Sequence, residues 1–212
     1  MFTKKEAFPA VIILFVIIFS ILVYPSLPEQ VPSHWNAEGI IDAYSSKNFA
    51  VLFFPGLILA IYLLMIWVPR FDPLKKNYPS FAVPYYWIRT ALVLFFSALY
   101  VFTIWTALGG GLNINYFMTP AISLLFILMG LYLPQVKKNY FVGIKTPWTL
   151  ASEESWNKTH ALGGKLFVLA GLITLLGLFF SDKAVCIMLA AVALAVIISF
   201  VYSYIIYKKA EN

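Results

Sequence analysis

Residues 7–24 have the sequence AFPAVIILFVIIFSILVY, eighteen residues without a charged side chain. An α-helix of this length spans about 27 Å at 1.5 Å per residue, close to the roughly 30 Å hydrocarbon core of a bilayer. Five more apolar runs of similar length follow, at residues 48–68, 85–108, 116–133, 162–181 and 184–207. The sequence therefore predicts an all-α, polytopic membrane protein with six transmembrane helices.

The first run follows Lys4 and Lys5, an arrangement that is also typical of a signal peptide. It is long enough to span a bilayer, however, and it ends in YPSLP at residues 24–28, without a small-x-small cleavage site. We therefore expect a retained first helix.

The fifteen lysine and arginine residues are unevenly distributed between the two sides that such a chain would expose. Only Lys47 and Lys183 belong to the first, third or fifth connection; the other thirteen belong to the ends of the chain or to the second and fourth connections. An excess of basic residues marks the cytoplasmic side. The pattern predicts that both termini are cytoplasmic and that the protein lies in the cell membrane.

Composition and charge exclude several classes of protein. A chain that is 62% hydrophobic and 11% charged is not typical of a soluble fold, and its net charge of +6 reflects topology rather than direct nucleic-acid binding. The interiors of the six runs hold no charged residue, which argues against a transporter built on a buried carboxylate. Arg89 and Lys165 lie near helix ends, where we expect their side chains to reach the interface. No HExxH or paired acidic motif is present, so we expect no enzyme activity, cofactor or metal.

Small and polar residues recur on three of the predicted helices. In the sixth run they are Ala191, Ala195, Ser199 and Ser203, and in the fifth Gly171, Thr174 and Gly177. Such faces allow membrane helices to approach closely, so we expect helices five and six to form a hairpin around residues 181–183. The third run carries Ser97, Tyr100, Thr103 and Thr106. This stripe is compatible with hydrogen bonds between helices or with a path for a polar solute.

The first outer loop, residues 25–47, contains a distinct motif. Its members are Pro32, His34, Trp35, Asn36, Gly39 and Asp42. Prolines stiffen its start, Asn36 to Gly39 suggests a turn, and Ser45 or Ser46 is a suitable cap for the next helix. His34, Glu38 and Asp42 are possible metal ligands, but the set lacks a cysteine or a second histidine. We expect a folded cap over the helix ends instead.

The fourth connection, on the cytoplasmic side, contains a second motif. Its members are Asn139, Gly143, Lys145, Thr146, Pro147, Trp148, Thr149, Trp156 and Asn157. Gly143 permits a bend that other residues would resist, and Ser152 with Glu153 and Glu154 is a suitable helix start. We expect a bend followed by an amphipathic segment that lies along the membrane surface and continues into helix five. The second and third connections contain no distinct motif. We expect residues 70–84 to form a solvated loop and residues 109–113 a flexible turn.

The run GIKTPWTL at residues 143–150, with Asn139 before it and Trp156-Asn157 after it, strongly resembles the signature of the SdpI family. The outer-loop motif resembles an uncharacterised membrane module that often precedes the SdpI module. The resemblance implies two modules, at residues 1–84 and 85–212. One departure is Lys145, where the family usually has arginine; lysine keeps the charge but loses bidentate recognition of carboxylate or phosphate.

The resemblance also implies a function. SdpI-type proteins are integral membrane immunity proteins that protect the cell from a secreted antimicrobial peptide toxin. The family's named member also signals by recruiting a cytoplasmic repressor to the membrane. The expected partners are therefore the lipid bilayer, an extracellular peptide toxin and a cytoplasmic transcriptional repressor. The alternative is a small-solute or lipid transporter, or a membrane-maintenance protein, without toxin specificity.

The predicted orientation is tested by labelling single cysteines with a membrane-impermeant maleimide in intact cells. A cysteine at position 40 should react from outside, and one at position 150 only after the membrane is permeabilised. Cys186, the one native cysteine, is replaced by serine in both proteins. Labelling of position 150 in intact cells would reverse the orientation and every assignment of sides that depends on it.

Overall fold

The computed structural model describes residues 6–180 and 183–211 of the chain. Within these residues six helices are long and apolar enough to cross a membrane, as predicted, and the chain is a multi-pass membrane protein. A short helix, α5, lies between the fourth and fifth of them. In chain order the helices are α1 (Ala7–Val23), α2 (Lys47–Phe71), α3 (Ala82–Ala107), α4 (Ile114–Tyr132), α5 (Pro147–Ala151), α6 (Glu153–Leu176) and α7 (Ala184–Glu211).

The start of α6 lies well before the apolar run at 162–181 that predicted it. The Ser152 hydroxyl accepts a hydrogen bond from the Ser155 amide at 3.2 Å, and Glu153 and Glu154 occupy the first turn. Capping and the favourable placement of acids explain the start. The expected surface segment is therefore the first part of a helix that continues to Leu176 without a break, and its residues Trp156, Thr159 and His160 are buried within the protein.

The chain is mainly helical as predicted, but the connection between α1 and α2 forms a β-hairpin that the all-α prediction did not include. Strand β1 (Gln30–Trp35) pairs antiparallel with β2 (Ile41–Ser46), with an irregularity around His34. Its turn depends on Gly39, whose φ of +78° is costly for other residues. Only Val31 of the hairpin is a fully buried apolar side chain, so the strands lack the apolar alternation that normally reveals a strand in a sequence.

The two ends of the helix bundle differ in content. One end carries the β-hairpin and the connection between α3 and α4, and we call it the hairpin end. The opposite end carries the connection between α2 and α3, residues 133–152 and the C-terminal part of α7, and we call it the motif end. Lys4 and Lys5 lie outside the described residues.

Glycines set the distance between α4 and α6. A β-carbon added at Gly164 would lie 2.7 Å from the Gly130 carbonyl oxygen, and one at Gly171 would lie 2.7 Å from the Ser123 carbonyl oxygen. Gly171 was expected to face the last helix; it packs against α4 instead, because α6 has small residues on more than one side. The small face of α7, Ala191 to Ser203, is buried as expected, and Ala191 and Ala195 pack with Ala170 of α6. Residues 181 and 182 of the expected turn lie outside the described residues.

Apolar cores join the two predicted modules. Val93, Tyr100 and Ile104 of α3 share a core with residues of α1, α2 and the hairpin. A second core at the motif end combines residues 78–88 with Val136 and Trp156. The boundary predicted between residues 84 and 85 therefore does not separate two independent cores.

Arg89 was expected to extend its side chain away from the helices, but the side chain is buried within the protein. Its side chain is 6% exposed and its Nη2 donates to the Glu6 carboxylate at 2.5 Å. Tyr62, Tyr85 and Tyr86 place their rings 5.5–5.8 Å from its guanidinium carbon. An arginine near a helix end can thus be retained inside the protein when a carboxylate and aromatic faces replace water.

Candidate functional site

Asn139 organises the start of the motif loop, which we define as residues 137–152. Its side chain is fully buried, and its amide nitrogen and amide oxygen each make two hydrogen bonds to this loop. The amide nitrogen donates to the carbonyls of Lys137 and Val142, both at 2.9 Å, and the amide oxygen accepts from the N–H groups of Phe141 and Val142 at 2.9 and 2.7 Å. One side chain thereby replaces the secondary structure that this segment lacks.

Asp72 fastens the motif loop to the connection between α2 and α3. One carboxylate oxygen accepts from the Leu74 N–H at 2.7 Å, and the other accepts from the Tyr78 hydroxyl and the Tyr140 N–H, both at 2.9 Å. Asn77 adds a bond to the Lys138 carbonyl at 2.8 Å. The prediction of a solvated loop at residues 70–84 is wrong, because Asp72 is 2% exposed and residues 75–81 form a 3-10 helix with buried aromatic rings.

Gly143 lies directly above a stacked aromatic pair. Its φ is +121°, as the bend prediction required. A β-carbon here would collide with the His160 imidazole and lie 3.2 Å from the Trp156 ring. Those two rings stack with centroids 4.1 Å apart. Glycine is needed for both its backbone conformation and its lack of a side chain.

His160 bridges the motif loop and α6 through both ring nitrogens. Nε2 accepts the Ile144 N–H at 3.0 Å, and Nδ1 lies 2.8 Å from the Trp156 carbonyl oxygen. These partners require a neutral ring with its hydrogen on Nδ1. The Trp156 indole N–H in turn donates to the Val136 carbonyl at 2.8 Å. The amphipathic segment predicted after Ser152 contains both residues, but their shared role in holding the loop was not predicted from the sequence.

Thr146 and Thr149 form a reciprocal cap on α5 and connect it to α7. Each hydroxyl accepts the other residue's backbone N–H, at 3.1 and 2.9 Å. The Thr146 hydroxyl also lies 3.0 Å from that of Ser203, and Ser155 donates to the Ser203 carbonyl at 2.9 Å. The Trp148 ring packs on Phe200 and Tyr204 of the same helix. The motif loop is thus anchored to α7 as well as to α6 and to the connection between α2 and α3.

The residues of this motif differ in exposure. Thr146 and Trp156 are buried and serve the loop itself. Lys145 and Asn157 are exposed, and Trp148 is half-buried. The Lys145 ammonium donates to the Phe141 carbonyl at 3.0 Å. A neutral carbonyl can accept such a hydrogen bond from lysine as well as from arginine. The surface available to a partner is therefore formed by Lys145, Trp148 and Asn157.

At the hairpin end, Asn36 closes the turn between the strands. Its side-chain oxygen accepts the Ile40 N–H at 2.9 Å and its backbone carbonyl accepts the Gly39 N–H at 2.9 Å. His34 and Asp42 face each other across the strands at 2.6 Å, on the exposed side. In the described part of the chain, no three His, Cys, Asp or Glu side chains are grouped to hold a metal.

Two asparagines tie the hairpin to α4. The Asn113 amide donates to the Glu38 carbonyl at 2.8 Å and the Asn115 amide donates to the Ala37 carbonyl at 3.0 Å. Asn113 also caps α4 by accepting the Asn115 N–H at 2.8 Å. The expected flexible turn at residues 109–113 therefore ends in a residue that serves two elements. Sequence reasoning missed both asparagines, although Asn113 just before an apolar run is a typical cap signal.

A cavity of about 310 Å³ lies beneath the hairpin, between the strands, α3, α4 and the start of α7. Its volume is within the usual range for ligand sites. Trp35 and Asn36 cover it, and Thr103, Asn115 and Thr119 add polar atoms to walls that are otherwise apolar. Pro32, in the middle of β1, is buried but does not line the cavity.

The polar stripe of α3 makes mainly structural bonds. The hydroxyls of Tyr100 and Ser20 lie 2.7 Å apart and link α3 to α1. Thr103 and Thr106 donate to carbonyls of their own helix at 2.9 and 3.0 Å. Ser97 is buried, with no hydrogen-bond partner among the described residues. Three of the four members thus have partners within the protein.

The motif loop, α6 and most of α7 lie within the part of the chain, residues 135–203, that matches the SdpI/YfhL protein family. The predicted resemblance to the SdpI family is thus confirmed for this part of the chain. Residues 11–59, with α1 and the hairpin, match a domain of unknown function (DUF1648). The immunity protein SdpI of Bacillus subtilis (strain 168) is 28% identical over 207 residues, which cover 97% of each chain. No solved structure matches the chain.

The SdpI/YfhL match contains the hydrogen-bonded set that runs from Asn139 to Ser203, whereas Asp72 and Asn77 lie outside both matched segments. Asn113 and Asn115 also lie between them. These four residues thus lie between the matched segments: Asp72 and Asn77 bond to the SdpI/YfhL match, and Asn113 and Asn115 bond to the other.

Replacing Gly143 by valine should destabilise the protein. Holding valine at this positive φ costs roughly 1–2 kcal/mol, and displacement of His160 removes its bond to the Ile144 N–H. The free energy of unfolding is measured by tryptophan fluorescence in mixed micelles. Gly111→Val is the matched control, because a β-carbon there meets no atom within 4 Å. Equal stability of the two variants would contradict the structural role assigned to Gly143.

Replacing Asp72 by asparagine should release the motif loop. An amide nitrogen cannot accept a hydrogen bond, so at least one of the three donors to Asp72 loses its partner. We expect trypsin to cleave after Lys137 or Lys138 about tenfold faster in detergent, the change that corresponds to about 1.4 kcal/mol. Asp42→Asn, on the exposed side of the hairpin, should leave this rate unchanged. A protected loop in the Asp72 variant would show that Asp72 does not hold it.

Proposed function

We propose that this chain is an integral membrane immunity protein of SdpI type, which protects the cell from a secreted antimicrobial peptide toxin. The observation that carries the proposal is similarity to an immunity protein along 97% of both chains. In this proposal the hairpin end faces outside, the motif end faces the cytoplasm, and the protein lies in the cell membrane. Its action is binding rather than catalysis.

The hairpin end has the features that recognition of a peptide requires. The strands are held by Asn113 and Asn115, so the surface is ordered before a ligand arrives, which lowers the entropy cost of binding. The His34–Asp42 pair offers polar groups on the exposed side, and the cavity beneath Trp35 offers an apolar recess. An apolar side chain of the toxin would enter this recess while the hairpin contacts its backbone.

The motif end has the features of a docking surface for a cytoplasmic repressor. Lys145, Trp148 and Asn157 are accessible on a loop that is rigid because Asn139, Asp72 and His160 hold it. Aromatic side chains beside a basic residue are typical of protein interfaces. Recruitment of a repressor by this surface would report the presence of the toxin to the cytoplasm.

Filling the cavity should abolish protection. A strain lacking the gene is challenged with peptides secreted by neighbouring strains and complemented with variants, and survival is measured. Thr119→Leu places a larger side chain in the cavity and should remove protection, whereas Thr106→Leu, which does not line it, should retain protection. Membrane levels of each variant are compared by immunoblot. A deletion strain as resistant as its parent would contradict immunity.

The inner surface is tested in the same strain. Lys145→Ala with Trp148→Ala should retain protection when the protein is supplied in advance, but should remove the transcriptional response to peptide, measured by RNA sequencing. Loss of protein from the membrane in every hairpin and loop variant would mean that both motifs are structural and that the function lies elsewhere.

A further inference from the structure

A second, larger cavity of about 1,020 Å³ opens at the motif end, beside the 3-10 helix at residues 75–81 and the start of α3. Charged residues Glu6, Lys75 and Arg89 line it together with aromatic side chains. None of these three belongs to the predicted motifs or to the surfaces used in the proposed function. The cavity is therefore separate from both motif surfaces.

Arg89 has a hydrogen-bonding capacity that the protein does not satisfy. A guanidinium group carries five N–H donors. Nη2 donates to Glu6, but Nε is buried and has no partner among the described residues. A buried donor without a partner costs roughly 1–3 kcal/mol, and this one belongs to a cation whose side chain lines the cavity. An acceptor bound against this guanidinium group would offset part of that cost.

The charge of the cavity favours an anion. Arg89 and Lys75 contribute two positive charges against one negative charge from Glu6, whose second oxygen is already bonded to the Tyr62 hydroxyl at 2.9 Å. Arginine binds phosphate through paired N–H groups, and lysine adds a mobile point charge. Basic cavities between membrane helices are suited to anionic lipid head groups.

The apolar part of the cavity wall is suited to the acyl chains of a lipid. Val83 and Trp87 line the same cavity and are 53% and 42% exposed. Exposed apolar side chains at the end of a spanning helix offer acyl chains a continuous apolar surface, and tryptophan favours the level of the head groups. A free phosphate ion would use the cations but would gain nothing from this surface.

We propose that the cavity around Arg89 binds an anionic phospholipid, with its phosphate between Arg89 and Lys75 and its acyl chains along Val83 and Trp87. This site is independent of toxin recognition at the hairpin end. It gives the protein a requirement for anionic lipid that the two motif surfaces do not explain.

The test uses the full chain purified in an uncharged detergent. Phosphatidylglycerol, phosphatidylcholine or inorganic phosphate is added, and bound lipid is measured by native mass spectrometry and thermal stability by fluorescence. We expect phosphatidylglycerol to bind at least about fivefold more tightly than phosphatidylcholine and to raise the melting temperature, a preference of roughly 1 kcal/mol. Inorganic phosphate should have little effect.

Lys75→Gln should reduce the preference for phosphatidylglycerol to less than half, and Arg89→Lys, which keeps the charge facing Glu6, should reduce it further. Lys76→Gln is the matched control, because this neighbouring lysine does not line the cavity. Equal binding of the two lipids by the unmodified protein would overturn the proposal. So would an equal loss in the Lys76 variant, or stabilisation by inorganic phosphate that matches the lipid's.

Discussion

The carboxylate of Asp72 has to find its partners inside the protein, because water is not available to it. It does so by accepting three hydrogen bonds, two from its own connection and one from the Tyr140 N–H of the motif loop. A buried charge must be compensated in this way or it becomes strongly destabilising. The conformation of the motif loop, the position of the 3-10 helix at residues 75–81 and the aromatic core beneath them all depend on that compensation.

The same constraint explains why both ends of the bundle are ordered despite little regular secondary structure. Asn139 at one end and Asn113 with Asn115 at the other supply hydrogen bonds to backbone groups that would otherwise lack them. Amide side chains are suited to this work because each is both donor and acceptor. The helices are positioned by apolar and glycine contacts, whereas the loops are positioned by a few polar side chains.

Hydropathy and charge predicted the six spans because length and apolar character are sufficient to define them. Local signals also succeeded where one residue decides the geometry, as with the cap at Ser46, which accepts the Phe49 N–H, and the positive φ of Gly143. The hairpin was missed because its strands bury little apolar surface. Asp72 was missed for a different reason: its partner Tyr140 is 68 residues away, and no local pattern marks such a pair. Arg89 was misplaced because its carboxylate partner, Glu6, is 83 residues away in the sequence.

The contact of α4 with its neighbours has a mechanical consequence. The first residues of this helix are bonded to the hairpin tip through Asn113 and Asn115, and its last turns meet α6 at Gly130 without any side chain between the backbones. Nothing compressible separates the two helices at that crossing. A displacement of the hairpin tip must therefore either break the amide bonds of Asn113 and Asn115 or move α4 as a rigid body. Movement of α4 would be transmitted at Gly130 to α6, the helix whose first turns contain Trp156 and His160.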